Sequence, residues 1–247
     1  YIDLDHYETL APIDTMPMQW DSAVAKYSEA TLLEYGIVPW HIMKVKAWLT
    51  KAMKERNYEK IIKLSADLGH YIADAHVPLH TTENYNGQLT NQHGIHGLWE
   101  SRLPEIFATK YDFYTGKAVY LRAPLSTIWQ TVAESFAAKD SVLAMERELT
   151  LRMPNTKYSF ESKGATTVKV YSREFSSAYH SALNQMVERR MKKAIFMVGC
   201  FWYTAWVDAG QPDLEFTVKQ RIDLQPQLDS LAKLMQGETI KGRMETH

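Results

Sequence analysis

The sequence predicts an all-α fold built as a single multi-helix domain. Three observations lead there: apolar residues recur at helical spacing through most of the chain, only one short stretch has an extended composition, and no internal repeat or low-complexity segment interrupts the pattern. With 247 residues and 45% hydrophobic content the chain can bury one large core. Residues 1–247 are therefore read as one domain, with 236–247 as a polar tail.

The first helix is read from Asp21, after which Val24, Tyr27, Ala30, Thr31 and Leu33 keep helical spacing until Gly36 stops it. Residues 40–53 and 58–76 are rich in Ala, Leu, Lys and Glu, which lose little rotamer freedom in a helix, and read as two long helices. Pro78 lacks an amide donor and disfavours helix at Val77, so the chain should turn out of the third helix close to His80. Residues 81–91 form a polar loop with Asn86-Gly87 as its turn. A fourth helix starts at 93–96 and runs to Pro104, carrying Leu98 and Trp99 inward. Residues 124–152 are helical again, whereas 155–170 read as an irregular or briefly extended connection. Residues 173–209 have an almost unbroken helical composition, with a solvated charged stretch at 188–193 and a buried aromatic stretch at 196–206. Gly210 and Pro212 end it, and 226–235 is a final amphipathic piece.

Lys and Arg total 28 against 29 for Asp and Glu, so the overall charge commits the chain neither to nucleic acid nor to anionic lipid, and an anionic ligand would have to be held locally. Cys200 is the only cysteine, which rules out an intrachain disulfide framework and leaves the compartment undecided. It lies in an apolar stretch and reads as a buried thiol. No apolar run reaches the roughly 20 residues that span a bilayer, so the chain reads as soluble. No protein partner is implied.

Five of the nine histidines fall between positions 70 and 96, together with Asp74 and, just beyond, Glu100. His70 and Asp74 are four residues apart, which puts both on one face of the third helix, and His96 and Glu100 repeat the spacing. Imidazole and carboxylate are zinc ligands, so the two pairs supply four groups for a metal cluster between helices, and His80 supplies a fifth. One His-x3-Asp pair is commonplace on a helix surface; two pairs flanking a proline-ended helix and a histidine-bearing loop are not. His76 and His93 read as packing or outer hydrogen-bonding residues.

The order His70-x3-Asp74-x5-His80-x15-His96-x3-Glu100, with Ala-His-Val-Pro-Leu-His at its centre, resembles the superfamily of zinc-dependent phospholipases C and fungal-type single-strand nucleases. The resemblance is sharpest over 65–105. It implies up to three zinc ions, with His70 and Asp74 on one, Asp74 bridging to a further one, and His80, His96 and Glu100 holding another. The family also uses an N-terminal Trp, a His, an Asp and a further His that directly precedes an aromatic-x-Asp sequence. This chain opens with Tyr1-Ile2-Asp3 at that point, so the likeness implies an N-terminal segment lying upstream. In the nuclease branch the aromatic and the Asp line a nucleobase pocket, which makes Tyr1 and Asp3 candidate substrate-binding residues. His6 follows them and falls outside the ligand order.

Clustered zinc suits phosphodiester hydrolysis, because it lowers the pKa of a bound water towards neutrality and offsets charge on the phosphate oxygens. The resemblance implies a zinc-dependent phosphodiesterase with Asp74 as its catalytic residue. The substrate is single-stranded nucleic acid or a phospholipid: Glu100 resembles the phospholipase branch, whereas 76–80 and Trp99 resemble the nuclease branch, towards which the reading leans. An inactive metal-stabilised binding relative is the non-catalytic alternative. The likeness also implies an exported protein, periplasmic or secreted.

Overall fold

A computed structural model describes residues 1–8, 16–164 and 166–215; the amphipathic piece expected at 226–235 and the tail at 236–247 lie outside them. The chain is mostly helical: α1 Leu4–Glu8, α2 Trp20–Tyr27, α3 Glu29–Tyr35, α4 Val38–Lys54, α5 Tyr58–Ala75, α6 Ile95–Gly97, α7 Leu103–Phe107, α8 Pro124–Arg152, α9 Arg173–Ala182 and α10 Met186–Asp208. One small sheet corrects the all-α expectation. Residues read as an irregular or briefly extended connection form an antiparallel hairpin of β1 Tyr158–Lys163 and β2 Thr166–Tyr171, whose register sets Tyr158 opposite Tyr171 and Phe160 opposite Lys169.

The helices that carry the site are defined by their ends. Asn57 starts α5 by accepting from the Lys60 amide at 3.1 Å. At the end of α4, Arg56 takes a left-handed φ of 53°, and the Asn57 amide closes back on Ala52 at 2.9 Å. The helix expected from Asp21 to Gly36 is split, because Ser28 leaves helical geometry and caps α3 through the Thr31 amide. The helix expected over 173–209 is split as well. Asn184 and Gln185 turn left-handed there, and the Gln185 amide returns to His180 at 3.0 Å.

Two clusters of buried apolar residues form the core, one around Ile42, Leu49, Leu68, Ile72, Val132 and Phe201, the other around Leu79, Leu98, Val142, Phe175 and Tyr179. Helix α8 contributes to both. It packs on α4, α5 and α9 and on the 3-10 turn Pro78–Thr81, while α10 packs on α4 and α5. Cys200 and Phe201 are buried as expected, but Trp202 and Tyr203 remain partly exposed, and the Trp202 indole donates to the Ser65 carbonyl at 3.1 Å. Among the described residues no helix is long and apolar enough to cross a membrane.

Arg190 departs from the solvated face expected of 188–193. It is only 7% exposed. Its guanidinium donates to the His76 carbonyl at 2.8 Å, to the Glu134 carboxylate and to Ser135, while the Ser135 hydroxyl donates to the Ala75 carbonyl at 2.6 Å. Helices α8 and α10 thus satisfy the carbonyls that α5 leaves open where it ends. Arg190→Ala leaves those acceptors buried without partners, so urea unfolding should show a loss of about 3 kcal/mol. Lys193→Ala, three residues away on the exposed face, should stay within about 0.5 kcal/mol.

Candidate metal centre

Helix α5, the 3-10 turn after it and the helical stretch 95–107 meet at the candidate site. Pro78 opens the turn, which places buried His80 close to the last turn of α5. The stretch 95–107 runs through α6 and α7 with a wider π-helical segment, Leu98–Arg102, between them. Glu100 sits in that segment, and such widened turns often mark functional positions. Leu79, Ile95 and Leu98 are fully buried and fix the backbone on which His80, His96 and Glu100 stand.

The polar loop between the two ligand-bearing segments is tightly cross-bonded. Asp5 accepts from the Thr82 hydroxyl at 2.5 Å and from the Glu83 amide at 3.1 Å. Asn84 accepts from the Leu89 amide, and Asn86 from the amides of Gly94 and His96. Gly87 has a φ of 73°, and a side chain there would meet the Gln92 carbonyl oxygen at 2.3 Å, so the expected Asn86-Gly87 turn requires its glycine. Gln92 then bolts the loop to α8 by donating to Glu146 at 2.5 Å and to the Leu143 carbonyl at 2.8 Å. Glu146 is fully buried and pairs with Lys157 at 2.7 Å.

His80 Nε2 and His96 Nε2 lie 3.3 Å apart. Two nitrogens on one tetrahedral zinc, with bonds of about 2.0–2.1 Å, stand about 3.3 Å from each other. Glu100 completes the set, with one oxygen 2.6 Å from His96 Nε2 and the other 3.7 Å from His80 Nε2. These three side chains form a group that could hold a metal ion. Burial alone would raise the Glu100 pKa, but hydrogen bonds from His80 and His96 outweigh it and hold the carboxyl well below the usual range, so the group is anionic as a ligand must be. Two imidazoles and a carboxylate turned on one point are donors that a single metal ion could share.

The far nitrogen of His96 faces a carbonyl that favours one tautomer, and that of His80 faces a carboxylate at longer range. His96 Nδ1 lies 3.3 Å from the Tyr85 carbonyl oxygen, and His80 Nδ1 faces Asp74 Oδ1 at 3.6 Å. A proton on His96 Nδ1, donated to the Tyr85 carbonyl, would leave its Nε2 lone pair free for a metal in place of the hydrogen bond to Glu100. Asp74 Oδ2 is 3.5 Å from His70 Nε2, so the four-residue spacing brings that pair together on α5 beside His80, with the His70 side chain 68% exposed. Tyr1–Asp3 also runs past the site, since the Ile2 amide donates to the His80 carbonyl at 2.9 Å. The Tyr1 hydroxyl donates to the Glu34 carbonyl, and Asp3 is buried.

His76 and His93 stay out of the cluster. His76 is buried with Nδ1 2.7 Å from the Ile72 carbonyl oxygen, and burial pushes its pKa down to about 4. His93 is exposed on the loop. His6 stacks on Tyr35. Sequence reasoning did not find Tyr85, Gln92, Glu146 or Arg190. Tyr85 acts through its carbonyl, which carries no residue signature, and the others act across long stretches of chain. Comparison of the chain with protein-family models, with curated proteins and with solved structures finds no match.

The bolt through Glu146 can be tested by a pair of substitutions. Glu146→Ala leaves Lys157 buried without its charge partner and should cost about 3–5 kcal/mol in urea unfolding. Glu146→Leu combined with Lys157→Met should recover most of that loss, because no buried charge is left uncompensated.

Proposed function

We propose that the chain is a zinc-dependent phosphodiester hydrolase of the kind its ligand order resembles, acting on single-stranded nucleic acid. The observation that carries this reading is the convergence of His80 Nε2, His96 Nε2 and the Glu100 carboxylate, with the two nitrogens 3.3 Å apart. Imidazole and carboxylate donors at that separation fit zinc better than magnesium or calcium, which prefer all-oxygen sets. His80, His96 and Glu100 would hold one ion, and His70 with Asp74 would contribute to a neighbouring one. Zinc bound there would supply an activated water and offset negative charge on the phosphate oxygens.

The chain's own residues set the geometry. The Tyr85 carbonyl would hold His96 in the tautomer that frees Nε2, and the Asp74 carboxylate stands 3.6 Å from His80 Nδ1. Asp74 stands between His70 and His80, so its charge serves both sides of the site. The cavity of about 500 Å³ that borders His96 is within the size range of small-molecule and cofactor sites.

Zinc titration into the metal-free protein should show tight binding that a His80→Ala, His96→Ala double variant loses; unchanged binding in that variant contradicts the site. The zinc-loaded full-length protein should hydrolyse single-stranded oligonucleotides and bis(p-nitrophenyl) phosphate. Asp74→Asn should lower both rates by about 100-fold, since outer partners of metal-bound histidines carry effects up to that size. Hydrolysis of phosphatidylcholine but not of oligonucleotides would keep the enzyme and reject the nucleic-acid substrate. Zinc binding without hydrolysis of any diester would favour a binding protein.

A further inference from the structure

A second cavity borders the metal centre, between the end of α5, the stretch 99–104 and α10. Its volume is about 200 Å³, and Asp74 and Glu100 belong both to its wall and to the metal centre. The rest of the wall is mostly apolar, formed by Val77, Trp99, Pro104, Val187, Met191 and Ala194. Val77 and Trp99 come from the segments that carry His80 and Glu100, whereas positions 187, 191 and 194 share one face of α10. Neither Tyr1 nor Asp3 is among the lining residues, so the cavity is separate from the base pocket that the ligand order implies.

Polarity, charge and size define what fits. Trp99 is 3% exposed, yet its indole N–H meets no acceptor. A buried donor left unpaired is costly, and a ligand bearing an acceptor relieves that cost. Apolar walls penalise any charged ligand. In addition, the carboxylates of Asp74 and Glu100 oppose an anion, and the Arg190 guanidinium on the same wall opposes a cation. Arg190 spends its donors on His76, Thr131, Glu134 and Ser135, so it has none to offer a ligand. An apolar cavity of about 150 Å³ takes up benzene, whereas sites for larger molecules begin near about 300 Å³. The space therefore admits one six-membered ring with a small substituent, and neither a whole nucleoside nor a pair of acyl chains.

We infer that this cavity is a specificity pocket for one neutral, ring-sized substituent of a phosphoric ester held at the metal centre, with the Trp99 N–H donating to an acceptor on that ring. The inference rests on the metal reading of His80, His96 and Glu100, because the shared residues Asp74 and Glu100 put the ring and the phosphorus side by side. It makes the group next to phosphorus, rather than the length of the substrate, the feature that the protein selects.

The test reads binding and needs no turnover. Calorimetric titration of the zinc-loaded full-length protein compares phenylphosphonate with methylphosphonate, which offer the metal the same oxygens. Phenylphosphonate should bind at least about 10-fold more tightly, because only its ring buries apolar surface in the cavity. Ala194→Leu fills the cavity from α10, and Ala73→Phe, at an exposed position of its wall, blocks it without disturbing the core. Both should bring phenylphosphonate down to the affinity of methylphosphonate. The Trp99 indole proton, identified in a proton–nitrogen correlation spectrum by its loss in Trp99→Phe, should shift on addition of benzamide, whose carbonyl accepts, and not on addition of tetramethylammonium. Equal affinity for the two phosphonates, a preference that survives both substitutions, or a shift with tetramethylammonium in place of benzamide overturns the inference. Diester hydrolysis alongside any of these rejects the pocket and spares the enzyme; a ring preference lost in both variants, with no diester hydrolysed, spares the pocket and rejects the enzyme.

Discussion

The end of α5 is the point on which the site depends. Pro78, one turn beyond Asp74, keeps α5 from continuing past Ala75, and a helix stopped inside a protein leaves carbonyls that must find donors. Ser135 from α8 reaches the Ala75 carbonyl, and Arg190 from α10 reaches that of His76. Three helices are therefore locked at the place where the chain turns towards His80. That lock fixes the direction in which the 3-10 turn leaves, and with it the separation of His80 from Asp74 and His96. A buried guanidinium is costly to desolvate, and its bonds to two carbonyls, Ser135 and Glu134 are what make the burial tolerable here.

The electrostatics of the site follow from that framework. His80 and His96 are almost wholly enclosed, and two imidazoles and a carboxylate facing one point are held together by protons or by a cation among them. The outer partners come from separate parts of the chain, Tyr85 from the loop and Asp74 from α5, so the loop and the helix end must both be rigid. The bonds from Asp5, Asn84, Asn86 and Gln92 supply that rigidity on the loop side.

Much of this was legible in the sequence, for local reasons. Long helices at 40–53, 58–76 and 124–152 correspond to α4, α5 and α8, and the pairs His70/Asp74 and His96/Glu100 meet because four residues make one helical turn. The turn at Pro78 follows from its missing donor. What escaped notice depends on partners distant in sequence or on single caps. Helical composition continues through Ser28 and through Asn184-Gln185, and only cap hydrogen bonds or left-handed backbone stop the helices there. Arg190 stands in a charged run that reads as solvated; its burial is dictated by partners far along the chain, the His76 carbonyl 114 residues earlier and the Thr131 carbonyl 59 residues earlier. The extended character of 155–170 was legible, but strands of six residues each are too short and too polar for their pairing to be read from alternation. The meeting of His80 with His96 follows from no local spacing; the family resemblance implies it, and the folded loop between them brings it about.

The most direct test of the metal centre is anomalous diffraction at the zinc edge from crystals of the zinc-loaded protein. The account requires a peak within about 2.2 Å of His80 Nε2, His96 Nε2 and a Glu100 oxygen. A peak at another location, or none at this one in crystals grown with excess zinc, would contradict it.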